Sequence, residues 1–278
     1  MKLRGYTSDL ILANLLFGVS YSVVVSLLEQ EYSPNQIFIA QIIVGALIFT
    51  PYVRIKLLKA HLPHLLRNTI VLLFGWQHLT LLGSKETPPL TIAAISILGL
   101  GVTLLAARNI HNLRLATIPL MVLILALPYT TAASEWMILC GVVCVAISTI
   151  LSRDMVRQLG TPMLLGGYFG LALLLSPILL PHPLSIPTST SEILPLLYQT
   201  ILGSALPLYL LLHGSAHSTP LKTALSRYLQ SAITIIVLFV PNLSNLLIGI
   251  MISFVLIDIY HNRQNIFTRH SSTTTETH

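Results

Sequence analysis

Residues 10–28 read Leu-Ile-Leu-Ala-Asn-Leu-Leu-Phe-Gly-Val-Ser-Tyr-Ser-Val-Val-Val-Ser-Leu-Leu, a run without a charged side chain. About 17–25 such residues in an α-helix cross the roughly 30 Å of hydrocarbon in a bilayer. The run is longer than the apolar stretch of a secretory signal peptide, about 7–15 residues, and no cleavage site of small residues follows it. It therefore predicts a retained transmembrane helix.

Similar runs make up most of the chain, which is 54% hydrophobic and 9% charged. Soluble domains carry about 25% charged residues. The pattern predicts an all-α integral membrane protein with ten transmembrane helices. The predicted spans are 9–28, 34–53, 68–84, 89–107, 115–131, 135–152, 161–180, 194–213, 220–240 and 243–260.

The basic residues predict the orientation of these spans, because positively charged short loops stay in the cytoplasm during insertion. With a cytoplasmic N-terminus, every Lys and Arg except Lys85 falls on the inner side. The weakest span is 115–131, which is short and contains two prolines. A nine-helix alternative without it would move Arg153 and Arg157 outside. We therefore expect ten spans in a cell (inner) membrane, with both termini cytoplasmic.

The net charge of +6 follows from this arrangement, since the basic loops would face an anionic leaflet. The chain has no array of aromatic and basic residues typical of nucleic-acid binding. We therefore expect the protein to be embedded in a lipid bilayer and not to bind nucleic acid. Nothing in the sequence indicates an oligomeric state.

The two halves of the chain resemble each other at a spacing of about 128 residues. Pro34 starts one span and Pro162 starts another (162 − 34 = 128), while Pro51 and Pro177 lie at the ends of the same two spans. Because each half holds an odd number of helices, the second must enter the membrane upside down. We predict two inverted five-helix repeats, which would place a substrate site near the bilayer midplane. The predicted units are 1–131, 132–263 and a disordered cytoplasmic tail, 264–278.

Three segments are similar to motifs of a known family. The first span contains Phe17-Gly18 before small polar residues, where that family commonly has Trp-Gly. Residues 147–154, Ile-Ser-Thr-Ile-Leu-Ser-Arg-Asp, resemble the opening of its second repeat. Residues 203–209, Gly-Ser-Ala-Leu-Pro-Leu-Tyr, resemble its eighth helix. Over about 5–263 the chain resembles a ten-helix member of the drug/metabolite transporter superfamily with two EamA-type repeats.

The resemblance implies a secondary transporter that exports or exchanges a small metabolite by alternating access. The chain departs from the family pattern in several places, and the usual acidic-Arg turn after helices four and nine is absent. Gln41 stands where the second helix commonly has Arg, and Arg227-Tyr-Leu-Gln stands where the ninth often has Glu-Pro. These departures leave the substrate open. Tyrosines, amides and one Arg within the spans suit a small polar molecule with an anionic group, such as an amino acid or a related anionic or zwitterionic metabolite.

Polar side chains inside the spans are the candidate binding residues, because they are costly in hydrocarbon and usually face a cavity or one another. Arg227 lies about two turns after Pro220 and could pair with a substrate carboxylate or phosphate. Alternatively, its long side chain could reach the inner headgroups. Ser231 and Thr234 follow at i+4 and i+7 on the same helix face.

Trp76, Gln77 and His78 form a second polar cluster. His78 could carry a proton near physiological pH, Trp76 could instead lie at the outer interface, and all three could simply bond neighbouring helices. The remaining candidate lining residues are Tyr21, Asn14, Gln41, Tyr198 and Tyr209. Asn14 and Gln41 could instead bond neighbouring helices.

Some chemistries find no support in the sequence. No Asp or Glu falls at the middle of a span, so facilitated diffusion or exchange is favoured over proton coupling unless His78 substitutes for an acid. No GxxxxGK[ST] loop is present for ATP. Cys140 and Cys144 share a helix face, but two thiols are an incomplete metal site. No catalytic residue, metal or cofactor is expected.

Two other functions stay open. One is a membrane-embedded enzyme acting on a lipid-linked substrate, for which His61 and His64 are the nearest candidates; Pro63 interrupts the pair and no carboxylate follows. The other is a non-transporting membrane scaffold, whose loops would have to offer an interface. The longest loop, 181–193, consists mainly of Pro, Ser, Thr and apolar residues with one acid.

Overall fold

The computed structural model describes residues 3–88, 91–97, 132–179 and 190–239. Within these ranges the chain is almost entirely helical and contains no β-strand. Met1–Leu238 form one compact unit and Phe239–His278 a second; the architecture below is that of the first. The predicted spans 115–131 and 243–260, most of 89–107 and the predicted tail 264–278 lie outside the described residues.

The first two long helices begin near where the sequence predicts spans. Helix α1 is Leu3–Glu29 and helix α2 is Pro34–Phe49, followed by a 3₁₀ turn, Thr50–Tyr52. A capping box starts α2: Ser33 Oγ accepts a hydrogen bond from Gln36 N at 3.2 Å, and Gln36 Oε1 accepts one from Ser33 N at 2.7 Å. Proline suits the first turn, where no intrahelical N–H bond is needed.

A π-helical segment interrupts the next long helix. After a short helix, Ile55–Lys59, helix α3 is α-helical in Leu62–Thr69, π-helical in Ile70–His78 and α-helical again in Leu79–Ser84. A π segment bonds each residue to the fifth and not the fourth along the chain, and such segments are frequent at functional sites. The described residues 91–97 form helix α4.

Helix α5, Ala133–Leu159, and helix α6, Thr161–Leu179, are separated by Gly160 alone. Gly160 has a φ of +81°, in the region that favours glycine, and it ends α5 there. Helix α7, like α3, is interrupted by a π segment. It is α-helical in Thr190–Thr200, π-helical in Ile201–Ala205 and α-helical again in Leu206–His217. Helix α8 is Pro220–Phe239.

The structure corrects the placement of two basic residues. Arg153 and Arg157 were expected in a cytoplasmic loop, but α5 runs beyond the predicted span and both are helical. Arg153 Nη2 donates to Ser218 O at 2.6 Å, and Arg157 Nε donates to Ala216 O at 2.9 Å. Their charges therefore bind carbonyl groups at the end of α7, where a helix leaves such groups without partners and carries partial negative charge.

Five helices of the described residues are long and apolar enough to cross a membrane: Tyr6–Glu29, Pro34–Tyr52, Ala133–Leu159, Thr161–Leu179 and Ile193–His217. They coincide with five of the predicted spans. Helices α3 and α8 occupy the predicted spans 68–84 and 220–240, but they are not among the five. Both carry several polar or charged side chains. The described part of the chain is thus all-helical with five membrane-compatible helices, and the count of ten remains a prediction.

Side-chain burial also fits a lipid environment. Leu47, Leu174, Ile178 and Leu194 are all more than 70% exposed. Polar side chains from most of the helices are buried instead. A bilayer favours this distribution, because apolar side chains can face lipid while polar ones find partners inside the bundle.

Three helix pairings enclose the core. Helix α1 packs on the last segment of α7, α5 packs on the last two segments of α3, and α2 packs on α6. Glycines allow α2 and α6 to cross closely: a Cβ on Gly45 would lie 2.6 Å from the Phe169 ring, and a Cβ on Gly166 would lie 2.5 Å from Phe49 O. Small residues permit such close approach in membrane helices. Of the paired helices, α1, α2, α3, α5 and α7 contribute residues to the walls of the cavities described next.

Candidate functional site

A cavity of about 80 Å³ lies between α1, α2, α3, α7 and α8. Each of these helices contributes at least one polar side chain to its wall. The polar lining residues are Ser20, Tyr21, Gln41, Trp76, Gln77, Thr80, Ser84, Gln199 and Gln230. Most of the surface that lines the cavity is apolar, and the polar groups within it can orient a ligand, as in many ligand sites.

A second cavity, of about 50 Å³, adjoins the first through Tyr21, Trp76, Thr80 and Gln230, which line both. Helix α8 adds Arg227 and Thr234 to its wall, α4 adds Ser96, and α5 adds apolar residues. The two cavities therefore form one region with an uncharged end and an end that carries a cation.

The two π-helical segments bring α3 and α7 together beside this region. Gln77 Nε2 donates a hydrogen bond to Ser204 Oγ at 3.0 Å. A glycine in each segment lets another helix approach: a Cβ on Gly75 would lie 2.8 Å from Cys144 Sγ, and a Cβ on Gly203 would lie 2.9 Å from Ser20 Cβ. The position of the cavity walls thus depends on both segments.

Arg227 is the charged group of the site. It is only 7% exposed, and its Nη2 donates a long hydrogen bond of 3.4 Å to Thr149 Oγ1. Its Nε has no hydrogen-bond partner, and it makes no ion pair with any residue that the structure describes. A guanidinium has five N–H donors, and an uncompensated buried charge is costly. The site therefore offers unused donors and positive charge to an anion.

Several acceptors of the same walls also lack partners among the described residues. They are the amide oxygens of Gln41, Gln77 and Gln199 and the hydroxyl oxygen of Thr80. An unsatisfied buried polar group costs about 1–3 kcal/mol. So many in one place indicate a region built to be filled by water or by a ligand rich in hydrogen-bond donors.

The structure places six of the eleven sequence-predicted site residues on the cavity walls. These are Tyr21, Gln41, Trp76, Gln77, Arg227 and Thr234. Ser231 is buried near them with an unpartnered hydroxyl, but it does not line either cavity. Tyr198 likewise has a buried, unpartnered hydroxyl away from both walls.

Three other predicted residues have helix-packing contacts instead. Asn14 Nδ2 donates to Leu10 O at 2.7 Å and to Ser226 Oγ at 3.0 Å, which joins α1 to α8. His78 Nε2 lies 2.8 Å from Asn35 Oδ1, with its ring stacked on Phe38 at 4.7 Å. The Tyr209 ring is stacked between Phe49 and His213. These contacts agree with the helix–helix alternatives left open for Asn14 and His78.

Sequence reasoning did not select Thr80, Gln199 or Gln230 as site residues. Thr80 follows Trp76 by four residues, and Gln230 follows Arg227 by three, so helical spacing could have identified both. For α8 the sequence placed Ser231 on the Arg227 face, whereas the wall contains Arg227, Gln230 and Thr234. Gln199 lies just before the π segment of α7, and its signal was the general one, a polar side chain inside the predicted span 194–213.

Comparison of the chain with models of protein families, with curated proteins and with solved structures finds no match. The fold of the described part defines an all-helical protein with five membrane-compatible helices and with two adjoining cavities lined by several polar side chains and by Arg227.

Proposed function

We propose that the protein is a secondary transporter of a small polar metabolite that carries an anionic group, such as an amino acid or a related compound. The observation that carries the proposal is Arg227, a buried cation without an ion-pair partner in the described residues, on the wall of a cavity formed by several helices. A permanent charge within the membrane marks a substrate or ion pathway far more often than a packing site.

The packing contacts are consistent with two inverted repeats. Gly83 of α3 lies against Ser134 O and the Ile138 side chain, at the start of α5. In the other half, Gly214 of α7 lies against Tyr6 O and the Leu10 side chain, at the start of α1. The partners are 128 positions apart in both cases (134 − 6 and 138 − 10), which is the spacing of Pro34 and Pro162.

This correspondence means that the first helix of each proposed half packs on the third helix of the other half. Both third helices, α3 and α7, contain a π segment. Repeats that exchange partners in this way can rock about a shared site, which gives each side access in turn. We also propose ten spans, a cell (inner) membrane location and cytoplasmic termini. This proposal rests on the same correspondence and on the resemblance of the sequence to EamA-type metabolite exporters.

Transport by the purified full-length chain tests the proposal directly. Proteoliposomes loaded with a labelled mixture of amino acids and organic acids should release or exchange at least one anionic or zwitterionic component, and empty liposomes should not. Absence of any such flux, with protein of verified insertion and folding, would reject a transport function.

Variants of Arg227 test the role of its charge. Arg227→Ala should weaken substrate binding by about 1.5–3 kcal/mol, the range for hydrogen bonds to charged groups. Arg227→Lys should weaken it to a similar extent, because Lys cannot reproduce bidentate geometry. The matched control is Lys222→Gln, which removes an exposed charge from the same helix. If Arg227→Ala transports with native affinity, the guanidinium has no part in binding.

A further inference from the structure

We propose that the substrate is a short, hydroxylated monocarboxylate, and that a zwitterionic amino acid binds more weakly. This inference rests on the proposed transport function and narrows its substrate class. It follows from two features of the cavity walls, their charge and their unpartnered acceptors.

The charge of the walls favours a single negative charge on the ligand. Arg227 is the one charged residue that lines either cavity in the described part of the chain. One carboxylate neutralises one guanidinium, and the pair can form two parallel hydrogen bonds. A phosphate group carries about −1.5 to −2 near pH 7 and would leave excess negative charge. A zwitterion adds no net charge and leaves the buried cation uncompensated.

Little in the rest of the sequence could supply a carboxylate to balance an ammonium group. Of the acids whose side chains the structure describes, Asp9, Glu29, Glu31, Glu86, Glu135 and Asp154, none lines either cavity. Outside the described residues the acids are Asp258, predicted near the cytoplasmic end of the last span, and Glu276, in the predicted tail. An ammonium in this region would lie near a guanidinium with only neutral groups to offset it, which is unfavourable in a low dielectric.

The unpartnered acceptors favour hydroxyl groups on the ligand. The amide oxygens of Gln41, Gln77 and Gln199 can only accept hydrogen bonds, and each belongs to a side chain less than 8% exposed. A hydroxyl donates a hydrogen bond to such an oxygen without adding charge. Three oxygens on three helices suit a ligand with several hydroxyls, and cavities of about 80 and 50 Å³ suit a short carbon chain.

The buried cation and the unpartnered amide oxygens lie on the walls of adjoining cavities. Arg227 lines the smaller cavity and the three glutamines line the larger one, while Tyr21 and Thr80 line both. A carboxylate against Arg227 would therefore place the remainder of a short molecule beside the amide oxygens. Gln77 is held in position by its bond to Ser204, so its acceptor is already oriented.

Four small probes separate these contributions: glycerate, serine, glycerol and propionate. Serine replaces one hydroxyl of glycerate by an ammonium, glycerol lacks the carboxylate, and propionate lacks the hydroxyls. Thermal unfolding of the purified full-length protein should shift most with glycerate, with half-saturation at a concentration at least tenfold below that of the other three. Counterflow in proteoliposomes should follow the same order.

Variants make the test independent of any loss of folding. Arg227→Gln should abolish the preference for glycerate over glycerol, and Gln41→Leu should reduce the preference for glycerate over propionate. Gln158→Leu changes an exposed glutamine and should alter neither. Gln41→Glu adds the missing negative charge and should shift the preference from glycerate toward serine, a gain that misfolding cannot produce.

Each contrary outcome has a distinct meaning. If serine binds as tightly as glycerate or better, the inference is overturned and the proposed transport of anionic or zwitterionic metabolites stands. If none of the four probes shifts unfolding or drives counterflow, the short hydroxylated monocarboxylates are rejected as a class. The mixed-metabolite experiment then decides separately whether the protein transports at all.

Discussion

Gln77 and Ser204 are joined by a hydrogen bond of 3.0 Å from the amide nitrogen to the hydroxyl oxygen. Both side chains are buried, and they belong to the π-helical segments of α3 and α7. Their separation along the chain, 204 − 77 = 127, is close to the spacing of Pro34 and Pro162. The bond therefore connects the two proposed halves at the cavity wall, while the Gln77 amide oxygen has no partner among the described residues.

Removing the hydroxyl of Ser204 should destabilise the protein. Ser204→Ala leaves the buried amide nitrogen of Gln77 without its partner, and we expect a loss of about 1–3 kcal/mol in the free energy of unfolding. The double variant Gln77→Leu, Ser204→Ala should lose less than the sum of the single variants, because both remove the same bond. Thermal or denaturant unfolding in detergent measures these values.

Ser215→Ala is the matched control for this cycle. Ser215 is also buried in α7, but its hydroxyl donates only to Leu212 O in its own helix. The change should cost less and should show no coupling to Gln77→Leu. Strict additivity of Gln77→Leu and Ser204→Ala would contradict the interhelical bond.

Gly203→Ala should damage the cavity wall, whereas Gly170→Ala should be tolerated. A Cβ on Gly203 would lie 2.9 Å from Ser20 Cβ, so α1 must move. A Cβ on Gly170 meets no atom within 4 Å, and alanine favours a helix interior over glycine by about 0.5–1 kcal/mol. Melting temperature and transport rate should both fall for Gly203→Ala. An unchanged rate and stability for that variant would mean that the close approach is not required.

Transport should not depend on an imposed pH gradient. The sequence places no acid at the middle of a span, and His78 bonds Asn35 and stacks on Phe38 away from both cavities. His78→Gln and Asn35→Ala should therefore lower stability to a similar extent and leave flux governed by the substrate gradient. Flux that requires a pH gradient and loses this requirement in His78→Gln would assign the histidine a coupling role.

Single-cysteine labelling tests the proposed topology in a background without Cys140 and Cys144. Glu31→Cys, in the exposed turn after α1, should react with a membrane-impermeant reagent added outside intact cells. Lys59→Cys, exposed after α2, should react only after permeabilisation. Cysteines within 182–192 should behave as Glu31→Cys does. Protection of 182–192 in intact cells would give both halves one orientation and exclude inverted repeats.

The helices of the described residues were largely predictable, because helix formation in a membrane depends on local properties. Apolar runs set the spans, Ser33 and Pro34 set the start of α2, and Gly160 ends α5 through its own backbone geometry. The helical positions of Arg153 and Arg157 were not predicted. Charged residues at a span boundary suit a loop and a helix end equally, and only the nearby carbonyl groups of α7 decide between them.

The sequence by itself identified polar residues inside apolar helices as candidate site residues, and it indicated that Arg227 has no acid at mid-span to balance its charge. Tertiary structure decided which of these residues meet. Rotation of a helix about its axis by the angle of one residue turns a different face toward the neighbouring helices. A π segment changes the angular position of every residue that follows it in the helix. Gln230 therefore reaches the wall while Ser231 does not, and Gln199 joins Gln41 and Gln77 around one cavity. Contacts between residues more than a hundred positions apart depend on how all the helices pack together, which no local pattern records.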